Sequence, residues 1–200
     1  MSAAGFQSAL ARMVVDPDFR DGVRERGEAA LPDGLSDLER ERLVHVAGHP
    51  GLDVTRTLHK GFRLSKLLTW LPLTCSVLGG DALAREVGEF WRRRLPVTFY
   101  YLEEAIGFCD HLLERMSAGA ERDVVAYERA SLELQRARPE GVPVPLQVVH
   151  LRHDPQELLT ALSQGEPLAG LSEQPCRLVG IKEDGCVEWR ILEPQSLHQS

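Results

Sequence analysis

Three side chains that commonly bind metal ions, Glu41, His45 and His49, lie four residues apart. In an α-helix this spacing places them on one face, where they could hold a zinc or iron ion. However, His49 lies in a Gly-His-Pro sequence that ends the helix, and no fourth ligand is evident. We interpret the set as a solvated helix face followed by a turn, and we predict no metal ligands in this chain.

A second group of acids surrounds a histidine in segment 99–116; its members are Glu103, Glu104, Asp110, His111 and Glu114. Di-iron helical bundles require Glu-x-x-His pairs, and this sequence has none. It also has no Gly-x-Ser-x-Gly nucleophile motif, no glycine-rich phosphate loop and no His-Glu-x-x-His zinc motif. We therefore predict no catalytic residues and no cofactor of the protein's own. A stand-alone helical metalloenzyme that uses these acids and His111 is one alternative.

The predicted secondary structure that would position such groups changes near residue 118, from helices alone to a mixture of helix and strand. Before that point the sequence shows amphipathic segments with helix-start signals, such as Asp16-Pro17 and the capping box from Ser36 to Glu39. Two apolar seams in segment 99–116 indicate a helix packed on two sides. We predict an α+β fold: an N-terminal helical bundle, 1–118, and a small α+β domain, 119–200, with a short helix and a few-stranded antiparallel sheet.

Two segments of the second half predict that sheet. Segment 142–151 begins with alternating prolines and continues as a β-branched run, which is typical of an edge strand. The sequence CRLVGIKEDGCVEWRIL predicts a hairpin. We expect a three-residue loop at 183–185, because that register pairs Ile181 with Val187 and Val179 with Trp189 and so groups apolar side chains by face.

Positive charges follow the predicted helix 53–70 at helical spacing, at Arg56, Lys60, Arg63 and Lys66. They suggest a nucleic-acid-binding regulator as a second alternative. However, the chain carries a net charge of −7, whereas DNA-binding proteins usually carry a basic surplus. We therefore predict no nucleic acid partner and read the helix as structural. We expect Lys60, Arg63, Trp91 and Arg92 to contact the acidic surface of a protein partner.

Several features bear on the cellular location. No apolar run approaches the roughly 18 residues that span a bilayer. The start, MSAAGFQSAL, lacks a basic region before an apolar one, and the four cysteines are scattered without a Cys-x-x-Cys pair. We expect a cytoplasmic protein with reduced thiols and no membrane partner.

Several longer stretches resemble a recurrent bacterial pattern. They are ALARMVVDPDFRDGVRERG, LSDLERERLVHV, TLHKGFRLSKLLTWLPLTCSVLGG and, in the second half, VVHLRHDPQELLTALSQGEPL. The pattern is similar to the partner subunits of multinuclear non-haem iron-dependent oxidative enzymes, which modify cysteines in ribosomally made peptides. The methanobactin and thiaglutamate-type partner proteins are examples. The chain departs from the pattern at Lys60-Gly61, where Lys-Arg is expected; a glycine there suggests a close helix or partner contact.

This resemblance implies a non-catalytic recognition subunit in natural product biosynthesis. Such a subunit binds a precursor or carrier peptide and presents its cysteine to the oxidative enzyme, which carries the iron, in a heterodimer. An extended peptide can add a strand to an exposed sheet edge. We predict that the peptide binds along Leu146, Gln147, Val148, Val149, His150 and Leu151, and we keep the strand 186–192 as the other candidate.

Overall fold

The computed structural model describes residues 3–94, 101–136, 146–183 and 185–192. Within these ranges the chain forms helices first and a small antiparallel sheet near the C-terminus, which confirms the predicted α+β class. None of the helices described is long and apolar enough to cross a membrane. The helices are α1 (Ala3–Val15), α2 (Pro17–Arg26), α3 (Asp37–Gly48), α4 (Pro50–Trp70), α5 (Pro72–Arg93), α6 (Tyr101–Arg115), α7 (Ala120–Arg136) and α8 (Pro155–Gln164), and the strands are β1 (Leu146–His153), β2 (Glu173–Glu183) and β3 (Cys186–Leu192).

The chain divides into two compact units, of which the first comprises Met1–Ser65 and Trp91–Val97. Its core lies among α1, α2 and α3, where Met13, Val23 and Leu43 have no exposed surface. The predicted helix-start signals are confirmed. The Asp16 side chain accepts a hydrogen bond from the Phe19 N–H at the start of α2, and Ser36 and Glu39 form a capping box at the start of α3.

The second unit comprises Lys66–Phe90 and Thr98–Ser200. Helix α5 breaks at Gly79, whose φ of +68° few other residues adopt. The middle of helix α6 is buried, from Ala105 to Leu112 except Asp110, in agreement with its two apolar seams. Helix α7 packs against both α6 and the sheet. Helix α8 begins at the Asp154 cap and ends at Gly165, a left-handed glycine.

These units do not follow the predicted boundary at residue 118, because α6 and α7 belong to the same unit. The units describe compactness in the folded state, whereas a domain boundary concerns segments that fold independently. The boundary between 1–118 and 119–200 therefore stays a prediction.

The sheet has the order β1-β2-β3, with both neighbouring pairs antiparallel. Its inner face packs against α7 and buries Val149, Leu151 and Leu178. Its outer face carries Leu146 and Val148, which are about half exposed. Strands β1 and β3 are the two edges of the sheet in the part of the chain described.

The predicted hairpin exists, but its predicted register is wrong. Glu183 pairs with Cys186, which leaves a two-residue loop, and Ile181 pairs with Glu188 instead of Val187. The register follows the packing of Trp189, which pairs with Gly180 and contacts the Tyr127 ring at 5.1 Å between centroids. Gly180 has no side chain, so it leaves room for the indole on the inner face. The packing of Trp189 against Tyr127 therefore stabilises this register more than grouping the apolar residues on one face would stabilise the other register.

Candidate functional site

The predicted peptide-binding strand lies at an edge of the sheet, with alternating exposure. Leu146, Val148 and His150 are exposed on the outer face, whereas Val149 and Leu151 are buried against α7. A strand at an edge has one row of backbone N–H and C=O groups that the sheet does not use. An added peptide strand could hydrogen-bond to that row and place alternate side chains on the outer face.

A buried carboxylate on α7 anchors the far end of this strand. The Oδ2 atom of Asp123 accepts hydrogen bonds from the Arg152 N–H at 2.8 Å and the His153 N–H at 3.0 Å. It also lies 2.8 Å from His153 Nδ1, and because a carboxylate only accepts, the imidazole nitrogen donates. Asp123 thus fixes β1 to α7 where the strand leaves the ladder. His153 itself is buried.

The second edge strand, β3, lies beside an open groove of about 500 Å³. Aromatic side chains from three elements line this groove: Trp70, Tyr127 and Trp189. Glu128 also lines it. Its carboxylate accepts the N–H groups of Leu73 and Thr74, at 2.9 and 2.7 Å, and so caps the first turn of α5.

The pKa of Glu128 is raised, because burial disfavours its charged form. The hydrogen bonds from Thr74 and Leu73 lower that pKa but do not cancel the effect of burial. Burial also raises the pKa of Cys75 to about 11 and raises that of Cys109. Both thiols are therefore protonated at neutral pH and are poor nucleophiles.

The residues predicted to contact a protein partner differ in exposure. Lys60 and Arg92 are exposed, Trp91 is half-buried, and Arg63 is only 4% exposed. The Arg63 guanidinium lies over the Trp91 ring, 4.4 Å from its centroid, a cation–π geometry. Their role at an interface stays a prediction, and Arg63 would act in it mainly by supporting Trp91.

The four positive charges at helical spacing on α4 do not form an exposed basic face. Arg56 is 8% exposed and lies 3.6 Å from Asp53, and Arg63 is buried as well. Instead, Val54, Leu58 and Phe62 are exposed at intervals of four residues and form an apolar ridge. Two buried cations out of four leave no continuous basic stripe on α4, which argues against the nucleic-acid alternative.

Gly61, where the sequence departs from the bacterial pattern that it resembles, is also exposed on α4. A Cβ added there would meet nothing within 4 Å in the part of the chain described. The expectation of a close helix contact at this glycine is therefore wrong within these residues. A contact with a partner protein stays a prediction.

The structure places His111 with acids other than those predicted. Its Nε2 atom lies 3.4 Å from a carboxylate oxygen of Glu86 on α5, and Glu89 joins the same cluster. The acids of its own helix have other partners: Asp110 pairs with Arg129, and Glu103 with Arg136. The signal that sequence reasoning missed is the Glu86-x-x-Glu89 spacing on α5, which places two carboxylates on one helix face.

Arg115 completes this cluster. Its Nη2 atom lies 2.7 Å from Glu89, and its Nε atom lies 3.2 Å from Glu86. Burial raises the pKa of Glu86, but the charges of Arg115 and Arg85 and their hydrogen bonds outweigh burial and lower it overall. Glu86 is therefore ionised at neutral pH.

The other proposed metal ligands do not converge. His49 uses Nδ1 to accept the Gly51 N–H at 3.0 Å, and the His45 and His49 ring centroids are 6.2 Å apart. Among the residues described, Glu41 and these histidines form no ligand cluster. The interpretation of a helix face followed by a turn agrees with this geometry.

The chain matches no model of a known protein family, and a search of curated proteins finds no match.

Proposed function

We propose that the protein is a non-catalytic recognition subunit in the biosynthesis of ribosomally made, modified peptides. It binds a precursor or carrier peptide and presents the peptide's cysteine to an iron-dependent oxidative enzyme. In this proposal the partner enzyme carries the catalytic iron, and the two chains form a heterodimer.

The exposed edge of β1 is the observation that carries this proposal. Backbone groups along this edge can pair with an extended peptide, and Leu146 and Val148 offer apolar contacts on the outer face. Asp123 holds the strand in place, so little conformational freedom would be lost when a peptide binds. The type of peptide and the type of enzyme in this proposal follow from the resemblance of the sequence motifs to those of known partner subunits.

The apolar ridge on α4 supports a protein partner. Val54 is 61% exposed, Leu58 is 68% exposed, and both lie on the same helix face as Phe62. Exposed apolar side chains that form a contiguous patch often mark protein–protein contacts. Lys60 and Arg92 would add positive charge at the edge of such a contact.

The complex is tested by co-expressing the protein with the products of neighbouring open reading frames. Size exclusion with metal analysis of each peak should show this chain co-eluting with an iron-bearing neighbour. A chain that elutes separately from every neighbour would contradict the partner role.

The peptide site is tested with two matched substitutions on the outer face. Val148→Lys alters the β1 edge and Leu192→Lys the β3 edge, and the two side chains are similarly exposed, at 46% and 49%. Loss of binding to the neighbouring precursor peptide with Val148→Lys alone supports β1. Loss with Leu192→Lys alone assigns the peptide to β3, and retained binding in both variants contradicts strand addition at either edge.

A further inference from the structure

One imidazole nitrogen in the second unit is buried without a hydrogen bond. His111 is 7% exposed, and its Nε2 atom has no hydrogen-bond partner in the part of the chain described. A buried polar atom of this kind costs free energy unless a partner satisfies it. The atom faces Glu86 at 3.4 Å, so the missing partner should be a species that both groups can bind.

Glu89 provides a third possible metal ligand beside Glu86 and His111. One ligand atom from each of Glu86, Glu89 and His111 lies within 4.8 Å of the other two. Bound metal ions hold nitrogen and oxygen ligands at about 2.0–2.2 Å, so a small rotation of the glutamates would bring all three into coordination range. The glutamates lie on α5 and the histidine on α6, so two packed helices set their positions.

We propose that Glu86, Glu89 and His111 form a binding site for a divalent first-row transition metal ion such as Zn²⁺. Two carboxylates and an imidazole suit Zn²⁺, Co²⁺, Mn²⁺ or Fe²⁺ better than Mg²⁺ or Ca²⁺, which prefer oxygen ligands alone. The ion would satisfy the Nε2 atom and neutralise the two carboxylates. Because the protein supplies three ligands, water would occupy the remaining positions.

Arg115 competes for this site. Its guanidinium contacts both glutamates, so the positive charge of the arginine occupies the region where the ion would bind. Its side chain is 34% exposed and can move into solvent when an ion binds. Arg115 thus offsets one of the two carboxylate charges without metal, and Arg85 also pairs with Glu86 at 3.3 Å. Neither arginine hydrogen-bonds to His111 Nε2. An ion-pair network alone therefore does not explain why His111 Nε2 is buried without a hydrogen-bond partner.

The test is zinc titration by calorimetry, with Co²⁺ absorption to report the ligand type. All proteins should carry Cys186→Ser, because that exposed thiol can bind zinc by itself. We expect one zinc ion per chain in this background. Arg115→Met should bind zinc about tenfold more tightly or better, because a competing charge is gone. The Co²⁺ complex should lack a thiolate charge-transfer band.

His111→Gln and Glu89→Gln should each weaken zinc binding by about tenfold or more. Glu89 is more exposed than His111, so its variant decides the outcome if His111→Gln does not fold. The control His45→Gln/His49→Gln should bind zinc as before. The proposal is overturned if the unaltered site binds no zinc, if Glu89→Gln binds zinc as well as the unaltered site, or if the control abolishes binding.

The proposed metal site is separate from the proposed peptide-binding edge, so the two proposals are tested independently. Peptide binding is measured with Val148→Lys, which leaves the cluster intact. Iron on a co-eluting partner should persist in the Glu89→Gln variant, because the partner holds that iron.

Discussion

Both faces of the three-stranded sheet carry apolar side chains, but these have different surroundings on the two faces. The inner face packs Val149, Leu151 and Leu178 against α7, and each is at most 6% exposed. The outer face leaves Leu146 and Val148 about half exposed. Apolar composition therefore does not distinguish a face that stabilises the fold from one available for binding. The difference arises from α7, which covers only the inner face.

The largest expected effect separates the two faces directly. Leu178→Ala should lower the free energy of unfolding by about 2–5 kcal/mol, because it leaves a cavity under α7. Val148→Ala should lower it by less than about 1 kcal/mol, because that side chain is already half exposed. Urea unfolding of both variants measures the difference. Equal losses would mean that the outer face is also packed.

A second test concerns the anchor of the edge strand. Asp123→Asn should cost about 1–3 kcal/mol, because a neutral amide oxygen replaces a carboxylate that accepts three hydrogen bonds. Asp154→Asn is the matched control and should be nearly neutral, because asparagine caps a helix about as well as aspartate. Thermal unfolding of both variants provides the comparison. A harmless Asp123→Asn would show that β1 does not need this anchor.

A third test concerns the close packing of the inner face. A Cβ at Gly180 would lie 2.7 Å from Leu134 and from the Trp189 ring. Gly180→Ala should therefore cost about 1–2 kcal/mol, as overpacking does. Gly61→Ala on α4 should instead stabilise by up to about 1 kcal/mol, because the site is open and alanine favours a helix. Chemical denaturation should give opposite signs, and a stabilising Gly180→Ala would contradict the observed register.

The smallest expected effect is a pH dependence beside the inner face. Because burial raises the pKa of Glu128, the folded state binds its proton more tightly than the unfolded state does. The contribution of Glu128 to the free energy of unfolding is fully present below the ordinary glutamate pKa of about 4.5. It is lost as the pH rises through the raised pKa of the folded state. The stability of the unaltered protein minus that of Glu128→Gln should therefore fall as pH rises from about 4.5 to neutral.

Denaturant unfolding at several pH values measures that difference, and other titrating groups cancel in it. A difference that rises with pH would show that the hydrogen bonds from Leu73 and Thr74 outweigh burial. A flat difference would show that Glu128 has the same pKa in both states.

Local signals in the sequence predicted the helix ends well. Asp16, and Ser36 with Glu39, act through residues within five positions, so no distant segment can change them easily. The existence and order of the elements followed from such signals. The exposure of β1 along its edge also agrees with the two prolines that precede it in the sequence.

The hairpin register, the burial of Arg56 and Arg63, and the partners of His111 could not be read in the same way. Each depends on residues far apart in the chain: Trp189 meets Tyr127, and His111 meets Glu86. A pattern of apolar and polar residues gives the period of an element but not the identity of its neighbour. The sequence by itself determined the helices, their caps and the edge strand. Only the tertiary structure decided which sheet face is covered and which acids surround the histidine, because packing between distant segments sets both.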